Sequence, residues 1–253
     1  MMVRSEAHRQ PAPQRLVVLV RRRRERPHAA KHPGWLSRWA SQCAVASGIN
    51  VYPPRAGLMS EPSASQAMSW SAYVDESQPD PRADPGAYLL AAAMLPTEDL
   101  QAARAAVRSL LLRGQRKLHW RDENEQRRKL LTAAVADIEA LHLVVVRVDL
   151  QASSERRRRL CLRRLLCELD AAGVAQVHLE AREARQNGRD LQLLGALRAQ
   201  QAIGPTIRMH HQPGPSEPLL WMPDLVAGAV GAARQGRVAY RVQLDGVLTV
   251  LQT

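Results

Sequence analysis

The chain has 253 residues, enough for one full domain with an additional segment or for two small domains. It carries a formal net charge of +12, contains no Phe and has three Cys residues without metal-ligand spacing. This composition argues against a disulfide framework, and the apolar run Leu16–Val20 near the start is too short to cross a membrane. We therefore predict a cytoplasmic protein, without a membrane span, whose core is built from Leu, Val and Ala.

The first segment, residues 1–68, is predicted to be a disordered basic leader. Pro residues interrupt it throughout, and residues 1–58 carry eleven Lys or Arg against two Glu, which is +9 of the net charge. Three interpretations remain open: a nucleic-acid-binding arm, a solvated tail, or a segment upstream of the true start at Met59. We favour the third slightly, because the composition changes abruptly there. The folded domain is predicted to be residues 69–253.

The first strand of this domain, predicted at Ser69–Asp75, ends in two adjacent carboxylates, Asp75 and Glu76. Pro79 and the residues after it end the run. Asp-Glu-Ser is ordinary turn chemistry when it stands alone. The end of a strand is also a rigid platform on which sheet proteins hold reactive groups.

The remaining elements alternate in type along the chain. Further strands are predicted at Ala87–Met94, Leu143–Val148, Ala175–Glu180 and Thr206–His210. Helices are predicted at residues 97–112, capped by Thr97, and at 124–140, 153–172, 189–200 and 223–235, with a hairpin around Asp245-Gly246 in the tail. This order predicts a mixed α/β sheet flanked by helices, with its first two strands antiparallel. If the first and fourth strands are parallel neighbours, Asp75 and Glu180 meet at the same edge of the sheet.

Three carboxylates distant in sequence stand at corresponding places in these elements. Asp75 and Glu180 end strands, and Asp224 lies in the first turn of the last helix. A first-turn Asp is often only a helix-stabilising residue, but this helix is apolar on nearly every side, so a lone buried carboxylate would be costly. If the three side chains meet, their repulsion calls for a cation, and oxygen ligands favour Mg²⁺ or Mn²⁺.

The same order of strands, helices and carboxylates resembles the ribonuclease H-like fold. Residues 70–253 further resemble an uncharacterised bacterial family of that superfamily, the domain of unknown function numbered thirty-eight hundred. The motifs that carry this resemblance are Tyr73-Val74-Asp75-Glu76-Ser77, Lys117-Leu118-His119-Trp120-Arg121, Leu179-Glu180-Ala181-Arg182, Gln186-Asn187-Gly188-Arg189-Asp190 and Asp224-Leu225-Val226-Ala227-Gly228-Ala229.

The resemblance implies a metal-dependent, nuclease-like site carried by Asp75, Glu180 and Asp224. Glu76 and Asp190 would be supporting acids, and Arg182 would contact a substrate phosphate. The sequence departs from the family at Gln78, where Gly is frequent. The acidic residue that ribonuclease H enzymes carry on their first helix has no clear counterpart, which leaves room for a single-metal or degenerate site.

Two weaker signals concern nucleic acid. His119 and Trp120 lie in a polar connection, where Trp could stack on a base or could instead pack beneath a loop. The Arg-rich helix that contains Arg156 and Arg159 could follow a phosphate backbone or be an ordinary solvated face. His210-His211 could supply a proton shuttle near Asp224, although adjacent strand residues point to opposite faces.

We therefore predict a divalent-metal-dependent nuclease that hydrolyses phosphodiester bonds in DNA or RNA. The first alternative is a non-catalytic module that binds nucleic acid or protein on the same fold with an impaired metal site. The second is an enzyme acting on a small phosphorylated molecule.

Overall fold

The computed structural model describes residues 69–253, so the predictions for the leader and for Met59 lie outside the described part of the chain. The strands are β1 Trp70–Ser77, β2 Ala87–Pro96, β3 Leu141–Val148, β4 Val174–Glu180, β5 Arg208–Gln212 and β6 Leu248–Gln252. The helices are α1 Leu100–Arg108, α2 Glu125–Asp137, α3 Ser154–Ala171, α4 Ala184–Ala199 and α5 Trp221–Arg234. No helix in this range is both long and apolar enough to cross a membrane.

The strands form one sheet in the order β5-β4-β1-β2-β3-β6. β2 runs antiparallel to β1 and to β3, whereas β4, β5 and β6 each run parallel to the strand they join. The predicted mixed sheet flanked by helices is confirmed, as is the antiparallel pair at its start, and the condition that β1 and β4 are parallel neighbours is met. This arrangement agrees with the ribonuclease H-like fold expected from the sequence.

Helices cover both faces of the sheet, which explains why every residue of β2 is buried. On the α5 face, helices α1, α2 and α5 pack on Tyr73, Leu89 and other apolar side chains. On the α3 face, α3 and α4 pack on Val74, Leu90 and the side chains around them. Small Ala side chains in β2 let α5 approach closely, so residues 221–232 of α5 are all buried. This close packing fixes the helix that carries Asp224.

Several element boundaries differ from the predicted ones. The helix after β2 is not capped by Thr97, because the Thr97 hydroxyl donates to the Ser69 carbonyl and a short 3₁₀ turn precedes α1. α4 begins at Ala184 rather than at residue 189. α5 begins at Trp221, with Pro223 within the first turn, where backbone N–H groups lack intrahelical partners and Pro costs little.

The predicted tail hairpin is wrong. Gly246 does turn the chain, with a φ of 92°, but the residues before it form a 3₁₀ turn, Arg241–Leu244, instead of a strand. Tyr240 and Leu244 are buried in the core on the α5 face, and their anchoring holds this segment against the helices. The residues after the turn form β6, which joins β3 in parallel.

His142 on β3 gives the first testable consequence of this core. Its side chain is 1% exposed, and neither ring nitrogen has a hydrogen-bond partner. Burial therefore lowers the pKa of His142 to about 4 from its ordinary value of 6.5. The unfolded chain takes up a proton below pH 6.5 while the native protein stays neutral, so native stability falls as the pH drops from 6.5 toward 4.

We expect the free energy of unfolding to lose on the order of 3 kcal/mol to this residue between pH 7 and pH 4. Urea denaturation at both pH values should show that His142→Leu removes most of this loss. His210→Leu, a change at an exposed histidine, should leave the loss in place. Equal acid dependence in the wild type and His142→Leu would contradict the assignment.

Candidate active site

Asp75 and Glu76 lie inside β1, because the strand continues to Ser77 and does not stop at Asp75 as predicted. Their side chains therefore point to opposite faces of the sheet. Asp75 stands opposite Ala91, which belongs to the core of the α5 face, and Glu76 stands opposite Leu90 of the α3 face. Asp75 therefore lies on the α5 face of the sheet, and Glu76 lies on the α3 face.

Glu180 lies on the α5 face, as Asp75 does. It ends β4, the parallel neighbour of β1, and the residue two before it, His178, stacks on Tyr73 of the α5 face with ring centroids 4.9 Å apart. The intervening Leu179 packs on the α3 face. The alternation of the strand therefore directs the Asp75 and Glu180 side chains to the same side of the sheet.

Asp224 lies in the first turn of α5, the helix that covers the same face of the sheet, and 8% of its surface is exposed. The Trp120 N–H donates to Asp224 Oδ2 at 2.6 Å, so the connection between α1 and α2 closes over the helix end. The charge of Asp224 is therefore partly neutralised by a backbone donor, and His119 next to that donor lies close enough to act on it.

The pKa values of two of these carboxyls are raised. Burial raises the pKa of Asp75 well above its ordinary value, and the charges of Asp224 and Glu180 raise it further. Burial also raises the pKa of Asp224, although His119, the Trp120 N–H and Lys117 act in the opposite direction. Crowded acids of this kind are stabilised by a cation.

Lys117 supplies a cation within the protein itself. Its Nζ donates to Glu180 Oε1 at 3.0 Å, and both side chains are about one quarter exposed, 29% for Lys117 and 26% for Glu180. Burial acts to lower the pKa of the Lys117 ammonium, but the hydrogen bond to Glu180 and the negative charges of Glu180, Asp75 and Asp224 raise it overall. The ammonium thus lies within electrostatic reach of all three predicted carboxylates.

Two glycines permit the close contacts of this site. A Cβ at Gly214 would overlap the Glu180 carboxylate, and a Cβ at Gly228 would overlap the Trp120 indole. Trp120 also meets the Tyr240 ring edge-on at 5.1 Å, and the Arg128 guanidinium stacks 4.9 Å from its centre. This packing favours the interpretation that Trp120 packs beneath its loop and does not stack on a base.

A second cluster of charges lies on the α3 face. Arg158, 3% exposed, pairs with both Glu76 and Asp190, and Arg182 pairs with Asp190 and Glu155. The predicted supporting residues Glu76, Asp190 and Arg182 therefore belong to this cluster, apart from the three carboxylates. A pocket of about 180 Å³ is lined by residues of both groups, among them Asp75, Glu180, Arg158 and Arg182.

The histidines of β5 do not join Asp224. His211 Nε2 lies 3.2 Å from Asp190 Oδ2, and His210 stacks on His178 on the other face of the strand. The two neighbouring histidines point to opposite faces of the sheet, as expected. Their contacts are with residues of β4 and α4, not with Asp224 as expected. Arg156 and Arg159 are exposed on α3 and remain available for a partner.

Sequence reasoning missed two residues of this region. Lys117 was treated only as part of a motif, and no local pattern indicates that it reaches Glu180, 63 positions away. Arg158 was grouped with the exposed arginines, although a signal was present: it precedes Leu162, Leu165 and Leu169 at the spacing of one helical stripe, and all four are buried.

The carboxylates of Asp75, Glu180 and Asp224 are the oxygen ligands that a hard divalent ion prefers, but they are not positioned as a ready-made ligand set. Among residues 69–253, no three His, Cys, Asp or Glu side chains are grouped closely enough to hold a metal ion as they stand. The Lys117 ammonium places a positive charge at one of these oxygen atoms, Glu180 Oε1. Residues of the right chemistry are thus present, with an internal cation among them.

Comparison with solved structures finds matches of low sequence identity. A mutant of Bst-RNase HIII matches with 16% identity and a TM-score of 0.47, covering 81% of this chain and 67% of that chain. Bst-RNase HIII in complex with Mn²⁺ matches with 17% identity and a TM-score of 0.46 over the same shares. RNase HII from Archaeoglobus fulgidus, in a complex with PCNA, matches with 13% identity and a TM-score of 0.40, covering 68% and 77%.

Comparison with protein-family models gives no match, and comparison with curated proteins gives none either. The resemblance to the particular bacterial family is therefore not confirmed. The fold assignment rests on the strand order and directions described above.

Proposed function

We propose that this protein is a divalent-metal-dependent phosphodiesterase whose Mg²⁺ or Mn²⁺ is held by Asp75, Glu180 and Asp224. One observation carries the proposal: the parallel strands β1 and β4 direct Asp75 and Glu180 to the face of the sheet that α5 covers with Asp224 in its first turn, and Lys117 pairs with Glu180 there. A purely structural role would not require a neighbouring strand and an overlying helix to direct three acids into one space.

The surrounding residues suit such a site. Asp75 and Asp224 are held rigidly, one inside a central strand and the other on a buried helix, and this rigidity favours precise placement of oxygen donors. The Trp120 N–H fixes one oxygen of Asp224 and leaves the other available. A bound divalent ion would supply polarisation of a phosphoryl oxygen and activation of water at neutral pH.

The substrate we propose is a nucleic-acid strand. Exposed Arg156 and Arg159 on α3 can contact backbone phosphates, and the chain carries a formal net charge of +12, of which +9 lies in residues 1–58. The buried Arg158 is not available for this purpose, because Glu76 and Asp190 already neutralise it.

A second candidate function is a non-catalytic binding module on the same fold. The ion pair between Lys117 and Glu180 favours it, because this pair already satisfies one of the three carboxylates without any metal. In that case the three acids would bind no metal ion, and Lys117 would neutralise their charge. The exposed Arg156 and Arg159 would then form the binding surface.

Hydrolysis assays on the purified full chain separate these candidates. We expect cleavage of single-stranded or duplex DNA, RNA or an RNA–DNA hybrid in the presence of Mg²⁺ or Mn²⁺, and none with EDTA. Glu180→Gln should abolish the cleavage, whereas Glu98→Gln, at an exposed acid distant from the site, should not change it.

Binding of these polymers without cleavage under any metal condition would favour the binding module. Cleavage of nucleotides but of no polymer would point instead to a small phosphorylated substrate. Activity that is unaffected by EDTA would contradict the proposal.

A further inference from the structure

The position of Lys117 in the chain bears on how the proposed metal site works. Leu118, 1% exposed, and Trp120 anchor the residues immediately after it, and the Arg121 guanidinium donates to the Gln78 carbonyl. Most of the residues before it, from Leu112 to Arg116, are exposed, with a left-handed turn at Gly114. Lys117 therefore stands at the boundary between an anchored and an exposed part of the connection.

This boundary position lets the side chain move while the backbone stays in place. The four-carbon stem of Lys is flexible, and 29% of the Lys117 side chain is already exposed. Among the described residues 69–253, the hydrogen bond that the ammonium donates goes to Glu180. The ammonium can therefore leave Glu180 without disturbing Leu118 or Trp120.

We propose that Lys117 is an internal counter-ion that competes with the divalent cation for Glu180. This inference rests on the proposed function and deepens it. In the absence of metal, the ammonium neutralises the carboxylates and keeps Asp75, Glu180 and Asp224 assembled. A divalent ion that binds the three acids displaces the ammonium from Glu180, and its affinity is reduced by the cost of that displacement.

The same argument explains why the three acids are not grouped as ready-made ligands. The Lys117 ammonium, 3.0 Å from Glu180 Oε1, takes up one Glu180 oxygen, and no three acids among residues 69–253 are grouped closely enough to hold a metal ion as they stand. The site is thereby stable without metal and remains responsive to metal concentration. A lysine that merely balanced surface charge would have no effect on divalent affinity.

Calorimetric titration of the full chain with Mn²⁺ tests this competition. We expect Lys117→Met to bind Mn²⁺ about tenfold more tightly than the wild type, because one positive charge has been removed from the site. Lys117→Gln should behave in the same way and serves as a second neutral variant. Lys117→Arg, which keeps the charge, should bind within about twofold of the wild type.

The matched control is Lys129→Met, which breaks an equivalent ion pair, Lys129 with Glu125, outside the site. It should leave Mn²⁺ affinity unchanged. The metal-free Lys117→Met protein should also melt at a lower temperature than Lys129→Met, and Mn²⁺ should restore it, because the metal takes over the neutralising role.

The outcomes distinguish the inference from the proposed function. If Lys117→Met binds Mn²⁺ as the wild type does, or more weakly, Lys117 does not compete with the metal and the inference is wrong, while the metal site stands. If neither protein binds Mn²⁺, the metal site itself is wrong and the inference falls with it.

Discussion

Replacing Asp75 by Asn is expected to reduce metal-dependent hydrolysis at least about a hundredfold while leaving the metal-free protein as stable as the wild type or more stable. The loss of activity follows because the central oxygen donor of the proposed site is removed. The gain in stability follows because the ionised Asp75 is crowded by Asp224 and Glu180 in a buried setting, which raises its pKa.

The sign of the stability effect depends on pH. A carboxyl whose pKa is raised on folding contributes fully below its unfolded-state pKa near 4, and that contribution is lost as the pH rises through the folded-state value. The stabilisation by Asp75→Asn, measured by urea denaturation with EDTA, should therefore be larger at pH 8 than at pH 4.

Asp137→Asn provides the matched control, since Asp137 is an exposed acid at the end of α2. It should change neither hydrolysis nor the pH dependence of stability. If Asp75→Asn destabilises the metal-free protein at pH 8 by more than the control does, Asp75 is a structural residue and its crowding is not a feature of a cation site.

Gly228→Ala is expected to destabilise the protein by about 1–3 kcal/mol, although Ala is the better helix former. The added methyl group would overlap the Trp120 indole, which is held by Tyr240 and Arg128 and has little room to move. Displacing Trp120 would also withdraw its N–H from Asp224, so Mn²⁺ binding and hydrolysis should fall together with stability.

Gly231→Ala is a precise control because it makes the same change one turn further along the same helix. The nearest atom to a Cβ at this position is Pro79 Cγ at 3.9 Å, so the methyl group fits. We expect Gly231→Ala to be neutral or slightly stabilising, by about 0.5–1 kcal/mol. Chemical denaturation of both variants measures the difference.

A double-mutant cycle assigns the cost to the indole. In a Trp120→Ala background, Gly228→Ala should no longer destabilise the protein, because the atoms it would overlap are absent. If Gly228→Ala costs the same in both backgrounds, the effect comes from another contact of α5, and the close approach of Trp120 to the helix is not what requires glycine at this position.

Much of the fold could be predicted because it follows from local patterns. Strand-forming residues such as Tyr73 and Val74 placed Asp75 at the end of a strand, and the order of strands and helices predicted a mixed sheet flanked by helices. The buried character of the last helix followed from its apolar composition. These features depend on periodicity, which a sequence displays directly.

The parts that could not be predicted depend on long-range contacts between polar side chains. The pairing of Lys117 with Glu180 and the docking of Trp120 on Gly228 join segments 63 and more than 100 positions apart. The continuation of β1 through Glu76 also escaped prediction, because two adjacent carboxylates are unusual inside a strand. The pairing of Glu76 with a buried Arg158 makes this continuation tolerable.

The most direct test of the account is the change in melting temperature on adding Mn²⁺ to the wild type and to Asp75→Asn, Glu180→Gln and Asp224→Asn. Binding to the native state alone stabilises it by about 2.7 kcal/mol at a hundredfold excess over the dissociation constant, so the wild type should melt several degrees higher with Mn²⁺. Each neutral variant should lose this gain, while Asp137→Asn keeps it. No gain in the wild type, or an equal gain in all the variants, would contradict the claim that these three carboxylates form one cation-binding site.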